Sequence, residues 1–183
     1  MRRLIGFFAA MLCLALPAAA REGRAVAIAL DVNSGAVVEI GDDGTSVAGL
    51  RGEKLAPPTL WVRTVARHLT GGQYDWAVGD KAALFEKGAV GVEEDPVPSG
   101  EIHIAFRAIG DSDQRLLVIA NGYDRALVYR AQIRRDGRTA FTDVCTVLPG
   151  VHAFEHWPFA IDRITLGELR LEDWPPDTPP RCE

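Results

Sequence analysis

The sequence predicts a mainly β protein, an immunoglobulin-like β-sandwich of about seven or eight strands with one or two short helices. Three observations predict it. Turn signals recur between apolar runs, at Asn33-Ser34-Gly35, Asp42-Asp43-Gly44, Asn121-Gly122 and Asp136-Gly137. Apolar residues recur with a period of two through the second half. Helical spacing shows at only two places. The Cys…Trp…Cys pattern of true immunoglobulin domains is absent, so only the broad architecture is predicted.

The first segment reads as a leader. Arg2 and Arg3 precede an uncharged run from Leu4 to Leu16, and Ala18-Ala19-Ala20 supplies an A-x-A cleavage pattern. Residues 1–20 therefore match a secretory signal peptide. The run of 13 residues is shorter than a bilayer span, which takes about 20. Cleavage leaves residues 21–183, expected to form one β-sandwich domain with a Pro-rich C-terminal tail over 174–183.

Arg24–Val32 and Ala36–Ile40 read as a strand pair joined by the Asn33 turn. Leu60, Trp61, Val65, His68 and Leu69 fall at helical spacing between Pro57-Pro58 and Gly71-Gly72, which predicts a helix with Thr59 as N-cap. Asp80–Lys87 predicts a second short helix ended by Gly88. Ile102–Ile109 alternates, and Arg115–Ala120 reads as a strand buried on both faces. Leu127–Arg134 alternates with an arginine-bearing outer face. Asp136-Gly137 then turns into Thr139–Val147. Ile164–Leu171 alternates with one slip at Gly167, where a β-bulge would stand.

Cys13 leaves with the leader, and the remaining pair Cys145 and Cys182 is expected to form a disulfide in an exported chain. It would pin the extended tail, whose prolines cannot join a sheet centrally. The formal charge is −5, and losing Arg2 and Arg3 makes it −7. That balance argues against nucleic acid as a partner. No later apolar run is long enough for a transmembrane segment.

The one constellation with catalytic spacing is His152-Ala-Phe-Glu155-His156. It resembles the H-x-x-E-H motif of inverted zinc peptidases. The resemblance implies His152 and His156 as zinc ligands and Glu155 as the general base of a zinc-dependent hydrolase. Pro149-Gly150 before it and Pro158 after it leave fewer than two helical turns. If the stretch is extended, the histidines share one face and Glu155 takes the other. The competing reading is a connecting loop anchored by Phe154, Trp157 and Phe159.

Ala27-Ile-Ala-Leu-Asp31-Val-Asn33-Ser-Gly35-Ala-Val-Val resembles the opening hairpin of serine penicillin-binding proteins, but no S-x-x-K nucleophile follows anywhere. Asp31, Asn33 and Asp111, Asp113 offer calcium-type oxygens that equally suit ordinary turns. Arg130 and Arg134 share the outer face of one strand within the cluster Arg125, Arg130, Arg134, Arg135 and Arg138. They are read either as a ligand-facing basic patch or as a solvated face. Asn121–Ala131 with His156-Trp-Pro-Phe159 resembles small uncharacterised exported proteins of proteobacteria, a resemblance that carries no activity. The sequence thus points to an exported periplasmic or extracellular protein, a non-enzymatic module for an envelope protein or glycan, with no cofactor expected. The alternative is the zinc hydrolase.

Overall fold

The computed structural model describes residues 26–71 and 93–183, so the expected leader at 1–20 and helix at 80–87 lie outside the described residues. Nine strands and one helix make up the described residues: β1 (Ile28–Asp31), β2 (Ser34–Ile40), β3 (Val47–Lys54), α1 (Leu60–Leu69), β4 (Ile102–Ala108), β5 (Arg115–Asn121), β6 (Ala126–Arg135), β7 (Arg138–Thr142), β8 (His152–Trp157) and β9 (Arg163–Glu172). They build two antiparallel sheets, ordered β1-β9-β6-β7 and β3-β2-β4-β5-β8. Inward residues of both sheets, including Leu30, Val38, Phe106, Ile119, Leu127 and Leu166, form one shared core. This is the expected β-sandwich. Among the described residues no helix is long and apolar enough to cross a membrane.

The outer face of the five-stranded sheet carries a second, smaller cluster. Val62 and Ala66 of α1 pack there on Ile109, Leu116 and Val118. That cover explains why β5 is apolar on both faces. Thr59 caps α1 as expected, its Oγ1 accepting from the Val62 amide at 3.2 Å.

Several expected connections turn out differently. β1 and β2 do not pair with each other: β1 joins β9, and β2 joins β3 and β4. The turn between them carries the chain from one sheet to the other. Asn33 sits there at φ 63°, with its side-chain oxygen accepting from the Ala108 amide at 3.1 Å. β3 was not anticipated at all. It is an edge strand, mostly exposed, with Gly49 and Gly52 inside it, so it carries no alternation.

Asn121-Gly122 is likewise a crossing between sheets and no hairpin. The buried Asn121 donates to the carbonyls of Arg125, Val147 and Leu148 at 2.8, 3.2 and 3.1 Å. Gly122 lies so close to 98–101 that a Cβ would collide with the Pro98 carbonyl oxygen. Its amide donates to the Glu101 carbonyl at 2.9 Å. The glycine is required by close approach of two backbones.

Other local signals hold. Asp136 and Gly137 both have positive φ, 51° and 73°, in a two-residue hairpin between β6 and β7. β9 bulges where the slip was expected, but Glu168 at φ 54° takes the left-handed position instead of Gly167. β7 ends at Thr142, earlier than the expected Val147. Cys145 and Cys182 form the disulfide. Beside it the tail pairs with residues 144–146: Val144 and Glu183 exchange backbone bonds of 2.9 and 3.0 Å, and Thr146 donates to Arg181 at 2.8 Å.

Candidate functional site

The stretch from His152 to Trp157 is a strand and not a loop, because its backbone pairs along β5. Strand alternation then separates the H-x-x-E-H residues. His152 stands opposite Ala120 and His156 opposite Leu116, both on the outer face, and Glu155 stands opposite Leu117 on the inner face. Four strand residues put the two histidines about 13 Å apart. The helical geometry that would let these three share one zinc is not the one the chain adopts. Among the described residues no group of three His, Cys, Asp or Glu side chains converges as a metal site. Phe154, Trp157 and Phe159 do act as anchors, on two different surfaces. Trp157 and Phe159 serve the core, and Phe154 meets Trp61 of α1 edge to face at 5.0 Å.

Glu155 has a structural setting. It accepts from the Cys145 amide at 2.8 Å. Burial raises its pKa, the amide bond partly offsets this, and Asp143 adds a smaller upward push. Beside it the buried Tyr129 hydroxyl has no hydrogen-bond partner among the described residues, and burial, then the Glu155 charge, pushes its pKa up. A carboxylate with a raised folded pKa costs the fold stability once ionised. The penalty is absent below the unfolded value of about 4.3 and grows as pH rises through the folded one. Glu155→Gln is therefore expected to be more stable than the parent at pH 7, with the difference vanishing near about pH 4. Chemical denaturation across that range checks it. A pH-independent difference would overturn the assignment.

Three rows of side chains cross the outer face of the five-stranded sheet. His103, Ala120 and His152 form the first, Ala105, Val118 and Phe154 the second, Arg107, Leu116 and His156 the third. α1 covers the β5 and β8 side, where Trp61 also meets the His152 ring edge to face at 4.6 Å. The β4 side stays open. There Ala105, Val118 and Ala120 floor a groove of about 240 Å³. Leu55, Ala56 and Pro57 form one wall, Pro96 and Pro98 the other. The close approach at Gly122 holds that second wall in place.

Most polar groups at the groove are already paired. The Thr59 hydroxyl donates to Asp95 at 2.6 Å. His152, almost fully buried, has its Nδ1 3.2 Å from Glu94. His103 Nε2 lies 2.8 Å from Glu101, which also accepts from Arg51 at 2.9 Å. Those two partners, His103 first, hold the Glu101 carboxyl below its ordinary range. Arg107 donates one bond, from Nη1 to the Ala56 carbonyl at 2.9 Å. Burial lowers its pKa, opposed by Glu53. His156 lies beyond the groove, 2.6 Å from Gln114, its pKa lowered by burial.

Comparison of the chain with protein-family models, with curated proteins and with solved structures found no match.

The basic cluster is divided by the fold. Arg125 is structural, donating to the Leu171 carbonyl at 2.6 Å and Asp173 at 3.1 Å. Arg130 and Arg134 do share the outer face of the four-stranded sheet. Arg130 lies over the exposed Phe141 ring and 4.0 Å from Glu183. Acids are interleaved there, with Asp31 pairing Arg163 at 2.7 Å. The same pair, with the Asn33 bond to Ala108, engages one side-chain oxygen each of Asp31 and Asn33, the first of the two places that suggested calcium. Of the groove residues, Ala105 and Arg107 were visible as alternating positions on their strand, whereas Ala120 lay in a stretch read as buried on both faces. Glu53, Leu55 and Asp95 carried no signal, because only the fold brings them to the groove.

Proposed function

We propose that this is an exported periplasmic or extracellular protein, a non-enzymatic binding module that seats a small envelope ligand in the groove between α1 and β4. The groove itself carries the reading. The apolar Ala105, Val118 and Ala120 line it together with residues of 53–57, of 95–98 and of α1 with its cap, and a few polar side chains among them, Glu53, Asp95, His103 and Arg107, join the lining. Concave apolar sites with a few placed polar groups are the usual form of ligand sites. The leader pattern and the disulfide favour an oxidising compartment. The basic face is the weaker candidate, since acids neutralise much of it.

A backbone-amide NMR titration with octanol tests the reading. Saturable shifts confined to Thr59, Ala105, Val118 and Ala120 are expected. They should be lost in Ala120→Phe, which fills the floor. Shifts scattered over the surface without saturation would overturn it.

A further inference from the structure

Arg107 and Glu53 differ from the other charged groups at the groove: among the described residues neither is in an ion pair. Glu101, Glu94 and Asp95 each have a hydrogen-bonding partner. Arg107 has a single bond, to a neutral carbonyl, and no carboxylate within 4.0 Å among the described residues. Glu53 stands opposite Gly35 on β3, near enough to act electrostatically and too far to form an ion pair. A partly buried guanidinium presents a planar fork of five donors that matches a carboxylate bidentately. Here one donor is used and the fork lies one row beyond the apolar floor of Ala105 and Val118.

We infer that the groove binds an amphipathic monocarboxylate, its apolar body on Ala105, Val118 and Ala120 and its carboxylate on the Arg107 guanidinium. The inference rests on the groove being a ligand site. A single cation suits a single negative charge. Glu53 and Asp95, which also line the groove, would repel a dianion such as a phosphate monoester more strongly than a monoanion. The available volume, about 240 Å³, suits a small molecule and not a folded partner.

The experiment compares octanoate with octanol as probes, by NMR titration of the full mature chain at fixed salt. Octanoate is expected to bind about ten- to a hundredfold tighter, the range for a hydrogen bond to a charged group. Arg107→Gln should bring octanoate down to the affinity of octanol, and Arg107→Lys, which keeps the charge without the fork, should fall between. Glu53→Gln should tighten octanoate by removing a competing charge. Amide spectra of each variant report whether it folds. Equal binding of the two probes would overturn the carboxylate assignment and leave the groove reading standing. Octanoate preference that survives Arg107→Gln would move the anion to His103 or His152 and overturn the role given to Arg107. Saturation by neither probe would overturn both.

Discussion

Replacing Phe106 with alanine is expected to lower the stability of the fold by about 3–5 kcal/mol. Phe106 is fully buried on β4, the central strand of its sheet. Its ring meets Trp157 edge to face at 6.4 Å, so the contact joins the sheet centre to its edge strand β8. Removing the ring deletes buried apolar surface and leaves a cavity between two sheets. The strands around it are held by their ladders and cannot close in fully. Chemical denaturation should show a lower midpoint with an unchanged slope. A loss below about 1 kcal/mol would mean that the surrounding core collapses into the space.

Removing the disulfide by the double change Cys145→Ala, Cys182→Ala is the second large expected effect. The bridge closes a span of 37 residues. Chain-entropy arguments give about 4 kcal/mol for such a loop. What holds the tail afterwards is weak: a short backbone ladder at 144–146 and two exposed ion pairs, Arg181 with Glu172 at 3.1 Å and Glu183 with Arg130 at 4.0 Å. The tail should become open to protease while β4 and β5 keep their amide protection. Loss of stability below about 1 kcal/mol, with the tail still protected, would show that the ladder alone suffices.

How much of this was legible divides by range. Thr59 as a cap, Asp136-Gly137 as a hairpin and the irregularity near Gly167 are local chemistry, and each appears where the residues placed it. The cysteine pair was legible by elimination. The prolines around His152–His156 argue against a helix, but the stretch read as a loop and not as strand β8; only the conditional extended reading placed the three residues on the faces they take. Partner identity was not legible. Alternation in Ile28–Asp31 says that one face is buried, and nothing in it names β9, more than 130 residues away in Arg163, over β2 next door. The edge strand β3 has too little burial to leave a pattern. The Gly122 approach looked like a turn because glycine serves both purposes. The groove needed the same long-range information: its walls are far apart in the chain, and only the apolar outer face of β5 hinted that something covers it.

The alternation along β4 and β5 has a consequence for how this protein can change. In β4 the even positions Ile102, Ile104 and Phe106 face the core, and the odd positions His103, Ala105 and Arg107 face the groove. In β5 the parity reverses, with Leu117 and Ile119 inward and Val118 and Ala120 outward. The main core and the groove are therefore built from interleaved letters of the same two strands, with Val118 shared between the groove and the small cluster under α1. An enlargement at Ala105 would reshape the groove and also press on the small cluster under α1, while leaving the main core between the sheets untouched.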